Sequence, residues 1–369
     1  MALQDQTKLK QSLISLSKSH GGQLPLDKAV LEALPPGTTQ ARAQAYGLAS
    51  AWSFTARINA LDGSKQSVSY FLKYVAGDLG KNQLEGEFVG MTELHQLQPE
   101  LVPKPIARGR LKNANVPAYF LLIEFIDFIP GLPDPVKLGA RLAALHAKSK
   151  APNGRFGFHL QTYDGARLQA VAPTKSWTSF FGTLLAEAYR QDTETNGIWP
   201  ELEIVHKRVQ SHLIPRLIGA LEAEGRSVKP TLIHGDLWDG NVGVQANTGD
   251  PWMIVKFDCA VYYAHNEMEI GTWRAERHQL NAEVYRMEYL KNYEASEPKG
   301  EWDDRNLLYS TKTNFMHSAC FAGSPARKSA FENMLQLVQK YVPWEEDSEE
   351  WQRIRCSVAS LGHCVGQVD

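Results

Sequence analysis

Two short apolar segments, 231–233 and 253–257, bracket the stretch that most constrains this chain: His234-Gly235-Asp236-Leu237-Trp238-Asp239-Gly240-Asn241. A carboxylate and an amide five residues apart can meet in one pocket only if a tight loop joins them. Asp236 would then accept a hydrogen bond from a reacting group, and Asn241 would turn back towards a cation. Seventeen residues after Asn241, the second apolar segment ends in Asp258. A carboxylate at a strand end suits a hard, oxygen-seeking cation. Taken alone, a His-Gly-Asp triplet reads as a capped turn. What precedes it in the chain decides the reading.

Residues 51–61 place Trp52, Phe54, Ala56 and Ile58 on one alternating face. Asp62-Gly63 then supplies a hairpin turn, and residues 67–75 alternate again. Lys73 falls near the end of this second strand. The spacing of Phe88, Met91, Leu94 and Leu97 predicts a helix over 84–97. That helix carries Glu87, which could pair with Lys73, and Glu85 as a competing partner. An apolar run over 119–128, interrupted by Glu124, reads as a buried strand entering a connector. Upstream, residues 4–19 and 26–34 read as helices, the second ended by Pro35-Pro36-Gly37. Beyond Pro130-Gly131 the pattern turns helical over 135–150, with Asp134 as N-cap, and over 177–190, 200–223 and much of 267–341. The expected class is α+β and bilobal. Residues 1–44 form a helical extension, 45–130 a small β-rich lobe, 131–341 a larger helical lobe and 342–369 a C-terminal extension.

The chain has 369 residues and a net charge of −2. This length fits about two lobes, and the charge balance points to neither a nucleic-acid nor a membrane partner. No apolar run reaches membrane-spanning length, and the first ten residues lack a signal-peptide core. None of the four cysteines forms a C-x-x-C pair, so a reducing cytoplasm is expected.

Lysine on a strand, glutamate on the next helix, an apolar connector, Asp-x4-Asn and a strand-terminal aspartate are together the order of a phosphoryl-transfer site. Lys73 would reach α- and β-phosphate oxygens. The backbone of Glu124, Phe125 and Ile126 would meet an adenine edge. Asn241 and Asp258 would hold Mg2+ on ATP, with Asp236 as base. Gly235 stands where protein kinases carry an arginine, and no Ala-Pro-Glu follows. Only eight residues separate Asp258 from Glu267. A small-molecule acceptor fits better than a protein side chain.

At this point the sequence resembles the fructosamine kinase (ketosamine-3-kinase) family, a branch of the aminoglycoside-phosphotransferase-like kinases with a protein-kinase-like fold. The carriers are Phe71-Leu72-Lys73, Glu85-Gly86-Glu87, Val102-Pro103-Lys104-Pro105, Phe156-Gly157-Phe158-His159, Trp177 with Phe180-Phe181, and His234 to Asn241. Ala260, Tyr262-Tyr263 and His265-x-Glu267-x-Glu269 follow Asp258 in the family's order. The resemblance implies ATP, magnesium and phosphorylation of a sugar hydroxyl on a ketosamine, in a monomer or homodimer. It implies a nucleotide-binding set of Ser50, Ala51, Lys73, Glu87 and 124–126, and acceptor contacts from Trp238, Glu267 and His317. One of Glu267 and Glu269 would orient the catalytic loop, Trp238 would pack or wall the pocket, and His317 would line the acceptor site or be a satisfied helix histidine.

The departures are specific. The turn Gly47-Leu48-Ala49-Ser50-Ala51 has one glycine, so its backbone approaches phosphate less closely. Cys259 replaces a proline. Val171, Met316 and Ala319 replace polar residues of the family's acceptor side. These losses motivate an alternative acceptor, another hydroxylated amine-bearing metabolite. The sparse glycine motivates a further alternative, a nucleotide-binding protein without turnover.

Overall fold

The computed structural model describes residues 2–47, 53–253 and 259–360. Helix α1 (Ala2–Ser19), strand β1 (Gln23–Leu24), the short helix α2 (Lys28–Ala33) and strand β2 (Thr39–Ala45) precede the hairpin β3 (Phe54–Leu61) and β4 (Ser67–Ala76). Helix α3 (Gly77–Leu97), β5 (Pro105–Arg110) and β6 (Ala118–Glu124) complete this part. Six strands form one antiparallel sheet in the order β1-β2-β3-β4-β6-β5. The first 44 residues are therefore not a purely helical extension: β1 and β2 extend the sheet beyond β3. Leu9 and Leu13 of α1 and Val30 of α2 pack on that sheet with Ile58 and Leu72.

The two-residue period of β4 sorts its side chains. Tyr70, Leu72, Tyr74 and Ala76 face α1 and α2, while Phe71 and Val75 face α3 and the rest of the molecule. Lys73 shares the second face, which directs it at α3. That helix starts seven residues before the expected position, because Gly77 and Gly80 mask its beginning in a propensity reading. Gly86 is a close-approach residue: a Cβ there would lie 2.3 Å from the Gln161 carbonyl oxygen.

The chain continues through β7 (Phe128–Ile129), α4 (Pro135–Lys148), the small hairpin β8 (Tyr163–Asp164) and β9 (Arg167–Leu168), α5 (Trp177–Asn196) and α6 (Pro200–Arg208). Asp134 caps α4 by accepting the Lys137 N–H. The helix expected over 200–223 breaks into α6 and a π-helical stretch, Val209–Ile218, which contains Pro215. Proline has no N–H for the regular ladder, so the turn widens there. Short strands β10 (Thr231–Ile233), β11 (Val242–Gln245), β12 (Pro251–Met253) and β13 (Tyr262–Ala264) frame the Asp236 loop. β10 pairs with β13, and β11 lies between β12 and β7. Helices α7 (Glu283–Asn292), α8 (Trp302–Cys320), α9 (Ala326–Tyr341) and α10 (Glu349–Ser360) close the fold. Trp177, Phe180 and Phe181 form an aromatic centre with Tyr309, whose hydroxyl accepts the Trp177 indole N–H.

Candidate active site

Lys73 Nζ lies 2.7 Å from Glu87 Oε2, and both side chains are almost wholly buried. Residues two apart on a helix point in different directions. Glu85 accordingly faces outward and pairs with Arg108 at the surface. The geometry selects Glu87 from the two candidates.

The catalytic-loop candidate is held mainly through its backbone. Glu269, in the 3-10 segment Asn266–Arg274, accepts the N–H groups of His234 and Gly235 at 2.5 and 3.0 Å. The Trp273 indole donates to the Leu237 carbonyl at 2.8 Å. Gly235 has φ +80°, and a Cβ there would lie 2.3 Å from the Ala260 carbonyl oxygen. No larger side chain fits this turn. His234 is buried, and burial lowers its pKa against the opposing pull of Glu269 and Asp164. The neutral ring can accept the Asp236 N–H at Nδ1, 3.3 Å away. His146, behind the loop, lies 3.7 Å from Glu269 and is bonded to the Tyr289 hydroxyl.

Asn241 Nδ2 donates to the Asp236 carbonyl at 2.8 Å and to its Oδ2 at 3.2 Å. Asn241 Oδ1 is buried with no hydrogen-bond partner among the described residues. An orphaned, buried amide oxygen beside a carboxylate is chemically suited to a hard cation. Asp258, Ser50 and Ala51 lie outside the described residues. Their neighbours carry some of the geometry: the Ala260 N–H donates to the His234 carbonyl at 3.0 Å. Cys259 is buried within electrostatic reach of Glu87, Glu269 and Lys73. Cys259 thus lies near both the Lys73 pair and the glutamate that holds the loop.

In the connector, two expected adenine-facing groups are already engaged. The Glu124 N–H donates to the Lys104 carbonyl at 2.8 Å and the Phe125 N–H to the Ser69 carbonyl at 3.3 Å. The N–H groups at 124 and 125 are thus taken by neighbouring backbone, and Ile126 keeps its N–H unbonded among the described residues. The Phe125 ring is gripped between Tyr46, with centroids 5.0 Å apart, and the Arg57 guanidinium at 4.1 Å.

Glu267 also needs correction as an acceptor contact. It is fully buried, with its oxygens taken by Arg305 at 2.9 and 3.0 Å and by the Ser296 N–H. Of the acidic pair, Glu269 touches the loop and Glu267 ties α8 to the preceding segment. The Trp238 ring covers Gly240 and lies 5.3 Å from the His278 ring. His317 is half-buried and lines a cavity of about 600 Å³. Its pKa is pushed down to about 4 by burial and by Arg277.

A charged cluster linked to the Ala260 carbonyl was not anticipated. Lys312, buried in α8, donates to Asp164 Oδ2 at 2.9 Å and to Gln169 Oε1 at 2.8 Å. Gln169 Nε2 in turn donates to the Ala260 carbonyl at 2.9 Å. Burial, the largest single influence, would lower the Lys312 pKa, but Asp164, Tyr262 and Asp236 together outweigh it and the ammonium stays charged. The signal available in sequence was a lone lysine on an otherwise inward-facing part of a helix. Val171, Met316 and Ala319 are all buried, so packing accounts for their apolar character.

Fold and site together define a chain of the protein-kinase-like class. A choline kinase from Streptococcus pneumoniae superposes with TM-score 0.50 at 13% identity, covering 90% of this chain and 99% of that one. A Thermobifida fusca crystal structure provisionally named a fructosamine-3-kinase gives TM-score 0.62 at 20% identity, over 82% and 94% of the two chains. These likenesses establish the fold. The family model for fructosamine kinase matches residues 53–340, and the chain belongs to the fructosamine kinase family. A chloroplastic protein-ribulosamine 3-kinase from Oryza sativa subsp. japonica is 31% identical over 225 residues, 59% of this chain. That match spans only 60% of the rice protein's length. An Enterococcus faecium protein provisionally named a ketoamine kinase is 30% identical, over 69% of this chain and 83% of its own. No helix among the described residues is long and apolar enough to cross a membrane.

Proposed function

We propose that this chain is an ATP-dependent kinase that phosphorylates a hydroxyl of a ketosamine. The observation that carries the reading is the Asp236–Asn241 arrangement, with an orphaned amide oxygen beside a half-buried carboxylate. The names of the rice and Enterococcus relatives supply the acceptor class.

The residues divide the work as follows. Asp236 takes the proton of the acceptor hydroxyl as that oxygen bonds to the γ-phosphorus. The bond from the γ-phosphorus to the β,γ-bridging oxygen breaks, and ADP leaves. Glu269 fixes the backbone of the loop, so the carboxylate needs little reorganisation. Glu87 fixes the rotamer of Lys73, whose ammonium meets the α- and β-phosphates. Asn241 Oδ1 and Asp258 would hold magnesium, which supplies positive charge against the phosphate oxygens. Ser50 and Ala51 would cover the phosphates, and the connector around Ile126 would border the adenine. Trp238 and His317 would wall the acceptor site. The described cysteines are free thiols, in keeping with a cytoplasmic location.

The test is ADP release, coupled to a reporter, from a panel of ribulosamines, fructosamines and other amine-bearing alcohols, with and without magnesium. Magnesium-dependent turnover of ketosamines is expected. Indifference to every ketosamine alongside turnover of another alcohol would replace the acceptor class. Nucleotide binding with no turnover of any acceptor would reject the kinase reading.

A further inference from the structure

The cavity beside His317 is strongly cationic. Arg274, Arg277 and Arg286 line it, with Asn314 and Asn333, and Glu276 is the one carboxylate among its described lining residues. Arg274 is engaged by Asp303 and Asn306. Arg277 bonds only neutral groups among the described residues, the Asn314 side-chain oxygen at 2.6 Å and the Thr313 carbonyl at 3.4 Å. Arg286 is only 9% exposed. Among the described residues it donates once, to the Asn281 carbonyl, and its buried Nε has no partner. A guanidinium withdrawn from water with an unsatisfied N–H is costly unless something anionic completes it.

The segment that carries Arg277 into this cavity also touches the catalytic loop. The Gln279 N–H donates to Asp239 Oδ1 at 2.7 Å, and His278 lies against Trp238. Arg277 is thus on a segment that leans on residues 238–239, within electrostatic reach of Asp236. An acceptor with its reacting hydroxyl at Asp236 would have to run past residues 238–239 to reach the basic space.

We propose that the preferred acceptor carries an anionic group, a carboxylate or phosphate on the arm attached to its amine nitrogen, and that Arg277 and Arg286 bind that group. This rests on the ketosamine reading above and narrows it. Arginine suits both anions because its fork donates two parallel hydrogen bonds.

Three matched ribulosamines test it, built on glycine, glycinamide and aminomethylphosphonate. Wild-type kcat/KM should favour an acid over the amide by at least about tenfold, the scale of a charge-assisted bond, mainly through KM. Whichever acid leads identifies the source of the anion. Arg277→Gln and Arg286→Gln should each collapse that ratio towards one, with a melting curve of each variant checking that it is folded. Equal use of acid and amide by the wild type overturns this inference and leaves the ketosamine reading intact. If no ketosamine is turned over, that reading fails, and thermal shifts with the same compounds plus ADP decide the anion site. A shift from either acid, absent with the amide and lost in Arg277→Gln, supports the site; no shift overturns it.

Discussion

Replacing Glu87 by alanine should expose how much of this molecule depends on one ion pair. The Lys73 ammonium is 0% exposed and Glu87 2% exposed, so water cannot take over the lost contact. Removing one partner of a buried pair costs about 3–5 kcal/mol, chiefly because the other charge is stranded. For a chain of 369 residues that is a fall in Tm of roughly 4–6 °C. The double variant Lys73→Met/Glu87→Leu removes both charges and should regain most of the stability, since apolar replacement of a buried pair is near neutral. It should not regain turnover, because the phosphate-facing cation is gone. Urea unfolding gives the stability terms and coupled ADP release gives the activity. A single variant within about 1 kcal/mol of wild type, or a double variant no more stable than the single, would refute the reasoning. A double variant that turns over substrate would refute the role of Lys73.

Asp236→Asn preserves shape but not basicity, so kcat should fall by at least about a hundredfold with little change in Tm; steady-state kinetics beside a melting curve will check it. Glu269→Gln leaves one of the two loop N–H groups facing an amide N–H, and should cost about 2–3 kcal/mol together with much of kcat, read from denaturant curves and turnover on the same preparation. His206, His265 and His278 are buried, and burial lowers them to about 4, 4 and 3, with His234 lowered in the same direction. Their folded pKa values lie below the unfolded value, so the unfolded chain binds more protons at mildly acid pH. Stability should be full above about pH 6.5 and fall below it by about 1.4 kcal/mol per pH unit for each such histidine. Urea midpoints between pH 5 and 7.5 measure this, and a flat profile would contradict the burial.

The parts of the site governed by local periodicity were legible in the sequence. Alternation in β4 put Lys73 on the face opposite Leu72, and the helical repeat put Glu85 and Glu87 on the next helix; the choice of Glu87 came from the geometry. The tight loop joining Asp236 to Asn241 was legible from spacing. Interactions set by tertiary contact were not. Nothing near residue 267 shows that Arg305, 38 positions later, occupies it. Strand β13 is three residues long and pairs with β10 beside Gly235, where a Cβ would collide with the Ala260 carbonyl. The early strands were missed for a different reason: β1 has two residues, and β2 exposes most of its side chains, so neither carries an apolar rhythm. Backbone engagement at 124 and 125 follows from strand register, which composition does not encode.

Helix α1 also determines how the chain can be shortened. The Gln6 side chain accepts the N–H of Ala76, the residue from which α3 departs, and Leu9 and Leu13 are buried against the same layer. A fragment cut to the family match, 53–340, would strip β2 from its partner and leave β3 with a bare row of donors and acceptors, a template for sticking to other copies. It would also free the first turn of the helix that positions Glu87. For expression work, the practical unit is larger than the recognisable one.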